Sequence, residues 1–402
     1  MAKTSTVTAR STMWHVFLVF LRLGITSFGG PTAHLGYFRA EFVERRRWMD
    51  DREYAELVAL AQFLPGPASS QVGFGVGLLR AGGWGALAAF VGFTLPSAML
   101  MFGFAYGASW FSGPIGDGVL SGLKIVAVAI VAQAVWGMAR TLTPDRPRSG
   151  IAVIALATTM LLAGSLGQIA AILIGALGGL IFCRASAEER HDMLHFPVRR
   201  AVGITSLVVF VALLLGGSIL AAATGNGAVS LFDAFYRAGA LVFGGGHVVL
   251  PLLETGVVDP GWVTNVQFLA GYGVAQAVPG PLFTFAGYLG WIAAIGPGGI
   301  WGGLIALVGV FLPGMLLLVG VLPFWNSFRR RPWAQAVIRG ANAAVVGILA
   351  AALYSPVFTT AITGPAPLVL AVICFALLVS FRLPSWAVVI VGAVGGVLIE
   401  LI

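Results

Sequence analysis

Charge is what this chain has least of: Lys, Arg, Asp and Glu make up 9% of its 402 residues, where a soluble domain carries about a quarter. A chain this poor in polar side chains has no skin for water. With 58% hydrophobic residues and a mean hydropathy of +0.95, its outside must face lipid. Cysteine is also scarce. Cys183 and Cys374 stand far apart at apolar helix ends, which excludes a disulfide framework or a metal cage. The chain has no Walker lysine, so it does not drive transport with ATP. It has no His-Glu-x-x-His, no Cys-x-x-Cys and no paired intramembrane aspartates, which argues against a metalloprotease or an aspartyl intramembrane protease. "GFGVGLLR", Gly73 to Arg80, imitates a nucleotide-binding glycine motif by letter alone, with no strand-turn-helix around it. No basic stripe with interleaved aromatics stands outside the apolar segments, so nucleic acid is not an expected partner, and no cofactor is expected.

What is present is a succession of long apolar segments separated by short polar ones, to the last residue. The fold class is an all-α polytopic membrane protein. "MAKTSTVTARSTMWHVFLVFLRLG" has basic residues before an apolar run, but Arg22 interrupts that run and no small-residue cleavage site follows. It reads as a retained first helix rather than a signal peptide.

The chain also repeats itself. A displacement of 215 superposes Phe20, Arg22, Gly24, Phe28, Gly29 and Gly30 on Phe235, Arg237, Gly239, Phe243, Gly244 and Gly245. A displacement of 214 superposes Trp48, Gln62, Pro65, Gly66, Pro67 and Gly73 on Trp262, Gln276, Pro279, Gly280, Pro281 and Gly287. A displacement of 217 superposes Trp84, Gly85, Leu95 and Pro96 on Trp301, Gly302, Leu312 and Pro313. Two homologous units follow, 1–184 and 228–402, joined by a basic linker and an extra transmembrane helix in 185–227.

Lys and Arg collect in cytoplasmic loops. Here they collect at Arg39 to Arg52, Arg140 to Arg148, Arg184 to Arg200, Arg329 to Arg339 and Arg382, and they are missing from 108–116, 164–166, 224–230 and 355–365. The two sets alternate if 84–107, 116–140, 151–163, 167–183, 200–223, 299–321, 333–354, 366–381 and 384–401 each cross once. The second unit then begins on the opposite side from the first, giving inverted repeats with a cytoplasmic amino terminus and an external carboxyl terminus in the inner (plasma) membrane. Inverted repeats are a common basis of alternating access, with substrate near the midplane. Residues 52–64 and 68–80 are each about 20 Å of helix, too short to span about 30 Å of hydrocarbon, so a re-entrant hairpin with its tip at Pro65-Gly66-Pro67 is expected. Residues 264–278 and 282–295 around Pro279-Gly280-Pro281 read the same way.

Two Phe-Gly-Gly breaks and two Pro-Gly-Pro tips would bring four helix discontinuities to the membrane centre, where free N–H groups at helix starts favour an anion. The alternative is that the glycines only allow close packing. Arg22 and Arg237, each six residues before its Phe-Gly-Gly, are intramembrane cations whose forked guanidinium suits a tetrahedral oxyanion; snorkelling or a structural pair is the plain alternative. Lys124 is a third, matched by Asn342 in the second unit, with substrate binding or proton coupling weighed against a snorkelling helix-end lysine. Gln62 and Gln276 precede the tips. Ser69, Ser70 and Thr284 follow them, where they cap helices or touch ligand. His34 and His247 could pass a proton or be structural. "ERRRWMDDREYAE", Glu44 to Glu56, reads as a solvated cytoplasmic segment.

The stretch "FLRLGITSFGGPTAHLGYFRAEFVERRRWMDDREYAELVALAQFLPGP" resembles the signature region of the chromate ion transporter family, whose two homologous domains each carry FGG and PGP motifs. The likeness extends over nearly the whole chain. It implies a long-chain, two-domain chromate exporter, an antiporter coupled to the proton-motive force that gives chromate resistance, with sulfate as a competing oxyanion. One departure is visible: the second copy has "FGGGHVVLPLLE" where the first has "FGGPTAHLGYFR". The expected partners are chromate or sulfate and the bilayer, with a homodimer allowed. A sulfate carrier that moves chromate by mimicry is one alternative. An intramembrane enzyme on an anionic, lipid-borne substrate is the other, disfavoured because acidic residues at depth are nearly absent.

Overall fold

The computed structural model describes residues 12–107, 113–162, 164–183, 196, 198–243, 248–325 and 331–401, with the side chains at 32, 114 and 165 excepted. Among the described residues the fold is entirely helical. The first half contains α1 (Met13–Thr26), α2 (Gly30–Arg39, extended by a π-turn to Arg45), α3 (Asp51–Phe63), α4 (Ala68–Gly107), α5 (Pro114–Leu142), α6 (Arg146–Leu161) and α7 (Gly164–Phe182). A joining helix follows, α8 (Arg200–Thr224). The second half contains α9 (Gly227–Ala240), α10 (Val249–Val257), α11 (Asn265–Ala277), α12 (Phe285–Ile292), α13 (Gly299–Val321), α14 (Pro332–Ala352), α15 (Pro365–Val379) and α16 (Ser385–Leu401). Five helical stretches, 68–107, 115–142, 200–224, 299–324 and 332–361, are long and apolar enough to cross a membrane. The bounds follow the hydropathy segments to within a few residues.

Helix starts are chemically marked. At α3, Asp50 accepts from the Glu53 amide while Glu53 accepts from the Asp50 amide; at α11, Thr264 and Gln267 form the same reciprocal box 214 residues later. Both helices run to a Pro-Gly-Pro and fold back. A Cβ at Gly75 would meet Leu57 Cδ1 at 2.7 Å, and the ring of Tyr288 lies over Gly271, so each hairpin closes about its tip. A second reversal follows. Within α4 the backbone leaves helical geometry at Ala81 and Gly82, and Gly77 then packs on Gly85. Gly290 packs on Gly302 in the same way across the loop between α12 and α13.

Lipid gives helices no hydrophobic reason to associate, so close approach and ring contacts hold the bundle. Gly24 of α1 lies against the Phe93 carbonyl of α4, and its counterpart Gly239 of α9 lies against the Val310 carbonyl of α13. Beside the first contact, Phe20, Phe38, Phe42 and Phe93 pack with ring centroids 5.0 to 5.7 Å apart, each pair contributing roughly 0.5–1.5 kcal/mol beyond its buried area. The larger core gathers α5 and α9 to α13.

The segment Glu44 to Glu56 is more than a solvated connector. Met49 and Tyr54 are buried, and Trp48 stacks on Phe42 with the guanidinium carbons of Arg46 and Arg80 5.4 and 5.1 Å from its ring centre. Its members Trp48, Met49 and Tyr54 tie the loop down, an effect that its charge density hides.

Candidate functional site

The four discontinuities meet, and each half holds the other. The Gly66 amide donates to the Val242 carbonyl at 2.7 Å, and the Gly280 amide donates to the Ser27 carbonyl at 2.8 Å. Gly66 and Gly280 are equivalent tip residues. Ser27 and Val242 are equivalent residues just before the two Phe-Gly-Gly breaks. Each hairpin tip is therefore bonded to the broken helix of the opposite half.

The next contacts are also paired. Gly66 packs on Gly314, which follows Pro313 inside α13, and Gly280 packs on Ser97, which follows Pro96 inside α4. Gln71 fastens the first crossing, its Nε2 donating to the Pro65 carbonyl at 3.0 Å and to the Gly314 carbonyl at 2.9 Å. Contacts in which i meets j while the equivalent of j meets the equivalent of i are those of an isologous, two-fold-like junction.

On the first-half side the junction is polar and buried. Ser27, His34, Ser69, Ser70, Gln71, Thr94 and Ser97 are all buried. His34 Nδ1 lies 3.4 Å from Ser69 Oγ, and its ring meets Phe93 edge-on at 5.4 Å. Ser27 Oγ, His34 Nε2, Ser70 Oγ, Gln71 Oε1 and Thr94 Oγ1 make no hydrogen bond within the protein. Buried polar atoms normally find partners, so such a group of exceptions marks a place able to receive a polar ligand. Gly29 and Gly30, at φ +96° and +78°, turn the chain into α2 beside it.

The second-half side holds a cavity of about 170 Å³, lined by Gln168 of α7, Ala234, Arg237 and Ala238 of α9, Leu241 after it, and Leu252 and Thr255 of α10. Gln168 is oriented by donating Nε2 to the Pro251 carbonyl at 2.9 Å, and Thr255 Oγ1 lies 3.4 Å from Gln168 Oε1. One turn before Arg237, Asp233 is buried at 9% exposure with Oδ1 3.7 Å from Arg237 Nε. Ser218 of α8 donates to Asp233 Oδ2 at 2.6 Å. Asp233 is a buried acid within an otherwise apolar helix bundle, of the kind the sequence argument treated as nearly absent. Its signal was the Asp-x-x-x-Arg spacing on one helix face.

The expected residues divide. Pro65, Gly66, Pro67, Ser69, Ser70, Pro279, Gly280, Pro281 and Thr284 lie at the junction; Thr284 Oγ1 donates to the Pro281 carbonyl at 2.8 Å, a capping contact. Phe28 and Phe243 are half-buried beside it. Arg237 faces the cavity, whereas Arg22 is exposed on α1 without an ion pair among the described residues. Gln62 is exposed and Gln276 half-buried. Lys124, half-buried on α5, forms no ion pair among the described residues. Gly244, Gly245 and His247 lie outside the described residues. Gln71, Ser27, Thr94, Gln168, Thr255 and Asp233 were missed, since single polar residues in apolar helices carry no motif.

In the basic connector, Glu41 accepts from Arg46 Nε and, at 3.0 Å, from Arg45 Nη1. Burial alone would raise its carboxyl, but the two guanidiniums outweigh it and hold the carboxyl below the ordinary range. Among the described residues no group of three or more His, Cys, Asp or Glu side chains converges. The arrangement offers an arginine, amide and hydroxyl donors and helix starts, which can bind an anion.

Comparison with known proteins agrees in kind. The family profile described as Chromate transporter matches residues 14–180 and 229–397, one stretch in each half. A probable chromate transport protein of Synechococcus elongatus is 29% identical over 83% of this chain and 82% of its own. A chromate transport protein of Pseudomonas aeruginosa is 29% identical over 84% of this chain and 79% of its own. A chromate transport protein of Cupriavidus metallidurans is 28% identical over 95% of this chain and 92% of its own. No solved structure matches significantly.

Proposed function

The chain belongs to the chromate transporter family, and on that premise we propose that it exports chromate from the cytoplasm by alternating access, coupled to the proton-motive force through its membrane-potential component. Membership supports chromate transport itself. The observation that carries the mechanism is the reciprocal bonding of tip and break, Gly66 to Val242 and Gly280 to Ser27. That junction is what two inverted repeats would build around a midplane site, and rocking one half against the other would open it to each side in turn. The hairpins would then be re-entrant, with the amino terminus cytoplasmic and the carboxyl terminus outside. In a cell the inside-negative potential pushes a dianion outward at about 2.3 kcal/mol per charge per 100 mV, so export needs no nucleotide.

The oxyanion sits in the Arg237 cavity, where the guanidinium and the Gln168 and Thr255 side chains face one space. Arg22 is too exposed to share it and takes a supporting role at most.

The test is chromate and sulfate flux in proteoliposomes with an imposed membrane potential. Arg237→Ala should lose at least about tenfold in flux, the equivalent of 1.4 kcal/mol or more of binding, while Arg22→Ala should stay within about threefold of wild type. Equal losses in both would return the site to a shared arginine pair. Normal flux in Arg237→Ala would sink the cavity assignment, and sulfate flux far above chromate flux would make the protein a sulfate carrier that moves chromate by mimicry.

A further inference from the structure

Resting on the reading that the oxyanion occupies the Arg237 cavity, we propose that Asp233 is the resident counter-anion of Arg237 and takes up a proton when the oxyanion replaces it, so that one proton accompanies each anion.

The geometry of the pair is the first argument. Asp233 Oδ1 and Arg237 Nε are both buried and neither makes a hydrogen bond, although only 3.7 Å separates them. A settled guanidinium–carboxylate pair closes to bonded distance with two parallel hydrogen bonds. Here Asp233 is held from behind instead, by Ser218 at 2.6 Å and by close contact with Gly217. Arg237 is left with its remaining donors toward the cavity, its side chain 43% exposed. The pair is a neighbour relation, not a clasp, and the guanidinium can turn to an incoming ligand.

The second argument is that the repeat does not require it. The equivalent of Asp233 in the first half is Leu18, and Arg22 stands there without a carboxylate four residues before it. The same fold is built without the ion pair in one half. The hydroxyl holding Asp233 comes from α8, the helix with no counterpart in the other half.

The third argument is charge. A dianion in the cavity and an ionised Asp233 would share one cation a few ångströms away, and like charges at that distance force a proton onto the weaker acid. Few other charged groups are available. α13, packed on α9, carries none, and neither does α7 across the cavity; α10 contributes only Glu254, and α8 only Arg200 at its far end. On α9 itself Tyr236 donates its hydroxyl to the Phe210 carbonyl. Asp233 is the carboxyl placed to answer the ligand. The proton comes from water as the carboxylate loses Arg237, and it returns to water when the anion leaves.

The experiment uses full-length protein in proteoliposomes, with the potential clamped by potassium and valinomycin and a pH dye trapped inside. Sulfate is the probe, because chromate itself takes up a proton near neutrality. In wild type, sulfate entry should acidify the lumen, and flux at low sulfate should rise by up to about tenfold per unit fall in pH, as one-proton linkage requires. Asp233→Asn should lose both the pH dependence and the proton movement, its sulfate flux lying on one flat line across the pH range in which the wild type rises. Ser218→Ala, which removes a hydroxyl that favours the ionised carboxylate, should shift the rise to higher pH. A pH-independent wild type, or Asp233→Asn with the wild-type slope, overturns the proposal. If Asp233→Asn does not fold, an unshifted profile in Ser218→Ala overturns it. Absence of any oxyanion flux in wild type overturns the transport reading itself, a different failure.

Discussion

Replacing Gly66 by alanine tests the crossing of the two halves. Gly66 has φ +122°, and a Cβ there would stand 3.0 Å from Gly314 Cα and 2.9 Å from Gln71 Nε2. The first neighbour is backbone of the opposite half and cannot swing away. The unfavourable backbone costs about 1–2 kcal/mol and the forced overlap about 1–3 kcal/mol more, so Gly66→Ala should lose about 2–5 kcal/mol. Gly280→Ala should fall in the same range, since its Cβ would stand 2.9 Å from Ser97 Oγ and 3.3 Å from the Gly24 carbonyl, at φ +94°. Gly225→Ala is the control, with φ +61° but nothing within 4 Å, and should lose only the conformational part, about 1–2 kcal/mol. The measurement is unfolding in mixed micelles titrated with denaturing detergent, read beside chromate flux. In the double variant Gly66→Ala/Gly280→Ala the losses should differ from additivity by about 0.5–3 kcal/mol, because both substitutions open one junction. If Gly66→Ala and Gly225→Ala are equally destabilised, the halves are not in the contact described and the junction cannot be the site's frame.

Gln71→Leu should cost about 1–3 kcal/mol, because it strips the Pro65 and Gly314 carbonyls of their shared donor while keeping the bulk; detergent unfolding reads the loss, and Gln71→Glu should not restore it. Glu41 contributes stability that is complete above its ordinary titration range and is lost as pH falls through its depressed one. Glu41→Gln should therefore be less stable than wild type at neutral pH and equal to it in strong acid, a convergence that thermal melts from about pH 6 to pH 3 would reveal.

Hydropathy was enough for the helices, because lipid leaves the backbone few choices and an apolar helix writes its length into the chain. The tip motifs were legible because proline and glycine act on local geometry. That the tips reach across to the opposite half was not, since a backbone hydrogen bond leaves no trace in side-chain identity. Arg22 and Arg237 looked equivalent by alignment and differ in surroundings, and the difference was written four residues upstream, where Leu18 stands for Asp233. Repetition invites the reader to weigh matched residues, and here an unmatched one carries more of the proposed chemistry. His34, expected either to pass a proton or to be structural, sits among buried hydroxyls.

The exchange of Gly66 and Gly280 across the junction also bears on how such a chain could arise. A single half by itself has a tip amide with no acceptor and a carbonyl before its break with no donor, and a second copy supplies both at once. The unit is thus complete only as a pair, whether two chains meet or one chain carries both. Joining the copies removes the search for a partner and releases each from having to match itself. In this chain one half carries an aspartate beside its arginine, and the other carries buried serines and a histidine.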